Sequence, residues 1–468
     1  MSKPASCCWS ASPRVAGSTL AAALLWAALL PAPPARAALI RVPATFPSVD
    51  TALVMAQAGD TVLVSPGTWP CSAEMRTGVT LAGQGGAGSV ILDAQGRGAV
   101  IRLTDANGAT VLQDLTLTGG TGVSSSGTSY GGGIHGLRSS PVLSRVRITA
   151  CTAQVGGGAY FELGAPSLRA CLLDGNHAEF GAGLATNRAA ARLDTCELHG
   201  NAATGAGGGL LALNGSSCAV YLGQIAANTS DGEGAGAYFL NSAANLLNVT
   251  VQGNAAAGDG GGIYCGAGCS LAFDYDVFHS NHAARGGAMY LGCAGPSGRP
   301  LPAALTAASP ASAGLVCSQV QVINNTLYAN VATTAGSGLA FNDAVRATVL
   351  YNIVALGQGG YGMNCLDLRS SVDARCNDVW KNTPADWAPG CAPASNLSIN
   401  PLFCVPEQLD FRLCENSPMA AAGCGISFVG AFPVECPPCR TAARVSTWGQ
   451  LRRLYGPGAS ASPAPISR

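Results

Sequence analysis

Glycine clusters recur at nearly constant intervals through the middle of this chain. Successive clusters start 25, 25, 26, 27, 26 and 26 residues apart. An asparagine stands five or six residues before most clusters, with an apolar residue three positions before that asparagine. A fixed period of this length with fixed landmarks predicts a stack of structural repeats. The clusters begin at Gly131, Gly156, Gly181, Gly207, Gly234, Gly260 and Gly286.

The repeats predict an all-β solenoid rather than a helical array. Glycine and asparagine favour tight turns and weaken helices, and both are frequent here. The apolar stretches between the turns, such as 145–148, 245–251 and 271–278, have the length and alternation of short strands. We therefore predict a single-stranded parallel β-helix with three short strands per coil, in which successive coils lie about 4.8 Å apart.

The recurring asparagines would then lie directly above one another. Inside a solenoid, stacked side-chain amides can bond to each other and to the turn backbone, which satisfies polar groups that are costly to bury. The alternative is that they occupy exposed turns, but the small residue two positions later indicates a crowded bend and favours a buried ladder. The predicted ladder consists of Asn176, Asn201, Asn228, Asn254, Asn281 and, after an insertion, Asn330.

Residues 1–37 have the pattern of a secretory signal. Lys3 and Arg14 accompany an apolar run of about 15 residues, and 35–37 has the small-x-small form of a cleavage site. A membrane anchor is the alternative, but the run is short for a span and prolines close it. We expect a secreted chain, extracellular or associated with an outer-membrane surface, with no membrane span after cleavage.

Composition shifts divide the rest of the chain into four regions. A cap is needed at the N-terminal end because the first coil otherwise exposes its strand edges and its apolar interior. A short helix starting near Ser48 suits that role. The predicted regions are the cap and first coils at 38–130, regular coils at 131–341 with a loop insertion at 293–317, Cys-rich coils at 342–439, and a short helix with a disordered tail at 440–468.

The nineteen cysteines predict disulfide-stapled loops, because a secreted chain folds in an oxidising compartment. Cys171 and Cys196 share one register in adjacent coils, where either a disulfide or a pair of buried thiols fits. Cys436 and Cys439 lack the second pair that a zinc site needs. The two predicted disulfides are Cys265–Cys269 and Cys293–Cys317.

Two motifs resemble repeats of a known class. Phe278-His-Ser-Asn281 and the following Gly286-Gly-Ala-Met289 resemble the FxxN and GGAI repeats of polymorphic outer-membrane proteins. More widely, residues 39–435 resemble the pectin-lyase-like superfamily, which implies a right-handed parallel β-helix. The resemblance does not choose an activity, because that superfamily contains lyases, hydrolases, esterases, adhesins and surface proteins.

One further likeness is incomplete. Gly133-Ile-His135-Gly136 is similar to the Gly-His-Gly motif of polygalacturonases. The paired aspartates and the Arg-x-Lys motif of that family are absent, so the likeness does not imply its activity.

Polysaccharide-cleaving β-helices use acidic clusters, and the chain offers two candidates. Glu233 and Asp259 each lie five residues after a ladder asparagine in adjacent coils, which predicts a spacing of about 4.8 Å. With Asp231 nearby, they could form a glycosidase pair or bind calcium. Ordinary turn chemistry favours the alternative, in which they are solvated turn residues. Asp274 and Asp276 share one strand face, and Asp276 is a buried acid if its register points inward.

Tyrosines recur at the second position after the glycine clusters, at Tyr160, Tyr238 and Tyr264. A column that faces outward would form a stacking platform for sugar rings, whereas one that faces inward would be an aromatic stack beside the ladder. The spacing leaves both orientations open. The full predicted column is His135, Tyr160, Ala185, Leu211, Tyr238, Tyr264 and Met289.

These observations favour a non-catalytic binding or structural module. It would present loops and a sheet face to an extracellular polysaccharide or a surface protein, without a cofactor. The alternative is a polysaccharide lyase or glycoside hydrolase that acts through surface carboxylates, with or without calcium. A third hypothesis is a stalk or sorting fragment of a larger assembly. The chain has 25 basic and 25 acidic residues, so its charge indicates no nucleic-acid partner.

Overall fold

The computed structural model describes most of the chain between residues 37 and 439. The predicted signal, apart from residue 37, and the predicted helix and tail at 440–468 lie outside the described residues. The described residues are 37–293, 300–306, 318–367, 369–389, 391, 395–421 and 426–439.

The chain winds into a right-handed parallel β-solenoid of about 14 turns. Each regular coil passes through four strand segments, which we name sheets A, B, C and D in chain order. Three strands per coil were expected. The additional sheet C consists of the short, alanine-rich segment between the ladder asparagine and the glycine cluster, which the sequence analysis treated as a turn.

Sheets A and B carry the most strands. Sheet A contains Leu39–Val42, Thr61–Val64, Thr80–Gly83, Val111–Gln113, Val142–Ser144, Ser167–Arg169, Ala190–Asp194, Ser217–Tyr221, Ala243–Leu247, Ser270–Asp274, Gln319–Ile323, Arg346–Leu350 and Ser371–Arg375. Sheet B contains Gly67–Pro70, Val90–Asp93, Thr116–Thr118, Arg147–Thr149, Leu172–Asp174, Glu197–His199, Gln224–Ala226, Thr250–Gln252, Val277–His279, Thr326–Tyr328, Ile353–Ala355 and Asp378–Trp380.

Sheets C and D complete each coil. Sheet C contains Val123–Ser125, Thr128–Tyr130, Thr152–Val155, His177–Phe180, Ala202–Ala206, Thr229–Ser230, Ala255–Ala256, His282–Arg285 and Val331–Ala335. Sheet D contains Ala73–Met75, Ile101–Thr104, Ile134–Leu137, Ala159–Glu162, Leu184–Asn187, Leu210–Leu213, Ala237–Leu240, Ile263–Cys265, Met289–Leu291, Leu339–Phe341 and Met363–Cys365.

The predicted asparagine ladder lies at the bend between sheets B and C. All six of its asparagines are buried. Each Nδ2 from Asn176 to Asn281 donates to the Oδ1 of the next ladder asparagine, at 2.9–3.0 Å, and to a backbone carbonyl of the preceding coil. The ladder therefore fixes the register of successive coils and satisfies polar groups in the apolar interior.

A second ladder, which the sequence analysis did not identify, lies at the bend between sheets A and B. Asn325, Asn352, Asn377 and Asn396 repeat the same side-chain bonding. Asp276 occupies the first position of this ladder, where its Oδ1 accepts from the Val249 N–H at 2.7 Å. Its Oδ2 is buried without a hydrogen-bond partner, at the place where the asparagines carry a donor. Burial raises the pKa of Asp276 well above its usual range.

We expect Asp276→Asn to stabilise the protein by about 1–3 kcal/mol at neutral pH, because an amide supplies the donor that the ladder lacks. The pKa of Asp276 is higher in the folded state than in the unfolded chain, where it is about 3.9. The free energy of unfolding is therefore highest below about pH 4 and decreases as pH rises, because the folded state must then bury a charge or hold a proton. The wild type should therefore lose stability relative to the variant as pH rises above about 4. Denaturant midpoints measured from pH 4 to 8 test this expectation, with the exposed Asp231→Asn as control; equal midpoints at all pH values would contradict it.

A short helix, α1 (Val49–Met55), begins after Ser48, whose side chain accepts from the Thr51 N–H. Its buried residues Val49, Ala52 and Leu53 pack toward the first strands of the solenoid. Its role as a cap stays a prediction. Across the described residues, no helix has the length and apolar character needed to cross a membrane.

The described residues between 403 and 434 pack against the outer surface of sheet B. A small three-stranded sheet (Phe403–Val405, Asp410–Cys414 and Val434–Cys436) forms there, with 3₁₀ turns at Pro406–Gln408 and Pro418–Ala421. Phe403, Phe411 and Val429 pack in one apolar cluster with Val277 and Ile353 of sheet B. The disulfides Cys404–Cys436 and Cys414–Cys439 staple this small sheet, and the disulfide Cys365–Cys391 joins sheet D to the segment that follows it.

The predicted disulfide Cys265–Cys269 is wrong. Both thiols are buried and free, and they donate to the Gly266 and Ala267 carbonyls, respectively. Cys171 and Cys196 are likewise buried thiols rather than a disulfide. Cys293 is buried and its Sγ accepts from the Ser318 N–H, whereas Cys317, its predicted partner, lies outside the described residues. The buried thiols thus fill space in the solenoid as small apolar side chains.

Candidate functional site

The tyrosine column faces away from the interior of the solenoid, on the outer surface of sheet D. Its members pair in register along the sheet and form an apolar cluster separate from the main core. Met289 was assigned to this column wrongly, because it faces the core and its neighbour Tyr290 takes the outward position. The cluster of two glycines at Gly286 is one residue shorter than the others, which shifts the count. The observed row is His135, Tyr160, Ala185, Leu211, Tyr238, Tyr264, Tyr290 and Ala340.

This column is nevertheless buried. Tyr238, Tyr264 and Tyr290 stack with ring centroids 4.8 and 5.2 Å apart, and they are only 0%, 1% and 2% exposed. Leu301 and Leu305, which belong to the predicted loop insertion, pack in the same apolar cluster. Residues 300–306 of the insertion thus lie over sheet D, and the three stacked tyrosines do not form an open platform for sugar rings.

The acidic pair Glu233 and Asp259 is also buried, at 3% and 4% exposure, so the interpretation as solvated turn residues is wrong. The Arg285 guanidinium donates to both Asp259 oxygens, at 2.9 and 2.5 Å, and lies over the Tyr290 ring. Asp231, the third proposed calcium ligand, is exposed. These residues do not fit a calcium ion, because the arginine already occupies both oxygens of Asp259.

The second acidic pair separates into two environments. Asp274 is half-buried at the end of a strand of sheet A, whereas Asp276 is the buried first member of the second ladder. The inward register of Asp276 explains it as a structural residue.

A cleft of about 340 Å³ opens on the outer surface of sheet D, beside the N-terminal end of the tyrosine column. Three parts of the chain line it. Sheet D supplies the floor with His135, Leu137, Tyr160, Glu162 and Asn187; the antiparallel hairpin Val123–Tyr130 supplies one wall with Val123, Ser124, Ser125 and Tyr130; and the insertion supplies Leu305. The hairpin lies in the Gly/Ser-rich run 119–129, which the sequence predicts to be an exposed loop, whereas the structure pairs two short strands there.

Polar side chains in the cleft hold one another in place. The Tyr160 hydroxyl donates to Glu162 Oε2 at 3.3 Å, and Asn187 Nδ2 donates to Tyr160 Oη at 3.4 Å and to Glu162 Oε1 at 3.2 Å. The Arg188 guanidinium forms an ion pair with Glu162. The His135 ring stacks on Tyr160 with centroids 5.9 Å apart. This arrangement fixes the orientation of Tyr160 beside His135.

Burial shifts the pKa values of His135 and Tyr160 in opposite directions. It lowers the pKa of His135 below its usual value, so the imidazole is neutral near pH 7 and can accept a proton. It raises the pKa of Tyr160 well above its usual value, so the phenol keeps a proton that it can donate. Arg102 neighbours His135 in the outward row of sheet D and forms no ion pair with the described residues. A base and an acid therefore line one cleft, and the unpaired Arg102 lies on the strand next to His135.

Sequence reasoning found this site only in part. It named Tyr160 as one tyrosine of a column, and it met His135 only in an incomplete motif. It missed Glu162, Asn187 and Leu305. Glu162 and Asn187 both lie four residues after the end of a glycine cluster, so the repeat would have placed them in one row, but nothing in the repeat indicates that Leu305 returns to that row.

Comparison with known proteins identifies no family for this chain. No family model and no curated protein matches it. Solved structures that resemble it include the PL6-family alginate lyase AlyGC (15% identity, TM-score 0.47, covering 79% of this chain and 54% of that one) and the pectate lyase Pel9A (12%, 0.41, 86% and 97%). The A-module of the Azotobacter vinelandii mannuronan C-5 epimerase AlgE4 is also similar (15%, 0.36, 75% and 94%). The chain thus spans about half the length of AlyGC, and the polymorphic outer-membrane resemblance stays a prediction.

Proposed function

We propose that this chain is a secreted enzyme that cleaves an acidic polysaccharide by elimination in the His135–Tyr160 cleft. The observation that carries the proposal is the pairing of a neutral imidazole with a protonated phenol in one cleft, next to an unpaired guanidinium. The non-catalytic binding module that the sequence favoured loses one support, because the three stacked tyrosines that could have formed a sugar-binding platform are buried.

The reaction would transfer two protons in opposite directions. His135 takes the proton from the sugar carbon next to the carboxylate, and the electrons of that C–H bond form a carbon–carbon double bond. The bond from the ring to the glycosidic oxygen breaks, and that oxygen takes the Tyr160 proton. Arg102 would pair with the sugar carboxylate and stabilise the negative charge that develops there. Proton return from His135 to Tyr160 then restores the starting state.

A glycoside hydrolase fits the cleft less well. Both stereochemical classes of these enzymes ordinarily need two carboxyl groups on opposite sides of the scissile bond. Glu162 is the one carboxylate among the described residues that line the cleft, and it already pairs with Arg188. The second carboxylate that hydrolysis needs is not provided by the described lining, whereas elimination needs none.

Secretion belongs to the same proposal. The predicted N-terminal signal supports it, as do the disulfides near the C-terminus, which persist in oxidising compartments. An extracellular polysaccharide is accordingly the proposed partner.

The purified chain should be incubated with polygalacturonate, alginate and a neutral glucan. We expect the ultraviolet absorbance of unsaturated sugar ends to rise together with reducing ends, on an acidic polymer only. Reducing ends without absorbance would indicate hydrolysis and contradict elimination. Co-sedimentation without either signal would restore the binding module as the better interpretation.

A further inference from the structure

We infer that the cleft is the closed end of a one-sided groove, so that the enzyme acts at a chain end and Leu305 sets where the substrate stops. This inference rests on the proposed function for its substrate, a polymer of acidic sugars. It adds the direction in which the polymer lies and the residue that limits it.

The groove is open on the N-terminal side of the cleft. The outward row of sheet D continues there from His135 to Arg102 and Glu74, in register along neighbouring strands. From Tyr160 to Glu74 the row covers three strand spacings, or about 14 Å. A second hollow of about 560 Å³ lies at this end, lined by Glu74 and Thr104 of sheet D among other residues. An extended chain can therefore lie along the row from this hollow to Tyr160.

The C-terminal side of the cleft is closed. The Leu305 carbonyl accepts from Asn214 Nδ2 at 2.5 Å, and the same Nδ2 donates to Asn187 Oδ1 at 2.8 Å, which ties the insertion to the floor of the cleft. Leu305 itself is 2% exposed and packs in the cluster of the tyrosine column. Beyond Tyr160 the row continues with buried side chains, at Ala185, Leu211 and Tyr238.

The groove is open on one side of the cleft and closed on the other, and this determines where along the polymer the enzyme cleaves. A polymer that reaches Tyr160 can extend only toward Arg102 and Glu74, because Leu305 occupies the path in the other direction. The scissile bond then lies near one end of the chain, and the released product is short. Leu305 is thus a specificity-determining residue, since it limits the number of sugars beyond the reacting bond without touching the proton transfers.

Binding of end-labelled oligosaccharides tests the wall independently of catalysis. A fluorophore is attached to the reducing end or to the non-reducing end of defined oligogalacturonates and oligomannuronates, and their dissociation constants are compared with those of the unlabelled sugars. We expect a label at one end to weaken binding at least about tenfold and a label at the other end to be tolerated. Equal tolerance of both labels, equal loss with both labels, or no binding of the unlabelled sugars would each overturn the inference.

Two variants test whether Leu305 causes the difference in binding between sugars labelled at the two ends. Leu305→Gly should restore binding of the excluded label, while Leu301→Gly, which removes a similar contact with the tyrosine column but does not line the cleft, should not. Circular dichroism spectra of both variants should match the wild-type spectrum, which checks that they remain folded. An asymmetry unchanged in Leu305→Gly would contradict the role of this residue. Asymmetric binding without any product would retain the groove and reject the proposed reaction.

Discussion

Replacing His135 with alanine should lower the rate of polysaccharide cleavage by roughly 10²–10⁴-fold, the usual contribution of a positioned general base. The imidazole lies in the floor of the cleft against Tyr160, and burial lowers the pKa of His135, so it is the group best prepared to take a proton there. The initial rate of unsaturated product formation measures the effect. The exposed His177→Ala on sheet C is the matched control and should keep the wild-type rate.

The pH dependence gives the same prediction a second test. A base works only when it is unprotonated, so activity should fall as pH drops through the pKa of His135. Because burial lowers that pKa, the acid limb of the profile should lie below the usual histidine value of about 6.5. An acid limb above that value, or full activity in the His135→Ala variant, would assign the base to another residue.

Replacing Asn228 with alanine should destabilise the protein by roughly 3–5 kcal/mol, because it leaves buried polar groups without partners. Asn228 Oδ1 accepts from the N–H and the Nδ2 of Asn201, both at 3.0 Å. Asn228 Nδ2 donates to the Leu198 carbonyl and to Asn254 Oδ1, both at 2.9 Å. After the substitution, the Asn201 N–H and the Leu198 carbonyl remain buried and lose these bonds.

Denaturant midpoints measure this loss. Asn245→Ala is the matched control. Asn245 is an exposed asparagine of sheet A in the next coil, so its substitution removes the same side-chain amide outside the ladder. We expect its midpoint to lie close to that of the wild type. If the two variants were equally stable, the ladder would add nothing to stability beyond the packing of the coils.

Most of the fold was predicted from the repeat of glycine clusters and asparagines. The glycine clusters and asparagines recur once per coil, so each landmark reports the same bend, and the repeat length determines which residues lie above one another. This reasoning placed the six ladder asparagines correctly. It failed for the second ladder, because its first members are Asp276 and Asn325, separated by the insertion, and the pattern is established only in the Cys-rich coils.

The functional site was less accessible to the same reasoning. Rows such as Glu162 with Asn187 follow from the register of sheet D, yet the repeat does not say whether a row is open or covered. Glu233 and Asp259 illustrate the difference. Their adjacency and the ion pair of Asp259 with Arg285 follow from the period, because each of these residues directly precedes a glycine cluster, whereas the period does not say that the two acids are buried.

The sequence by itself thus determined the coil, its bends and the stacking order, because these depend on contacts between residues one period apart. The tertiary structure alone decided that Leu301 and Leu305 return to cover the tyrosine column, and that Leu305 and the hairpin Val123–Tyr130 enclose His135 and Tyr160. Those contacts join segments far apart in the chain that share no repeat. Their partners are selected by the apolar surface that sheet D exposes once the solenoid has formed, and a period cannot encode that selection.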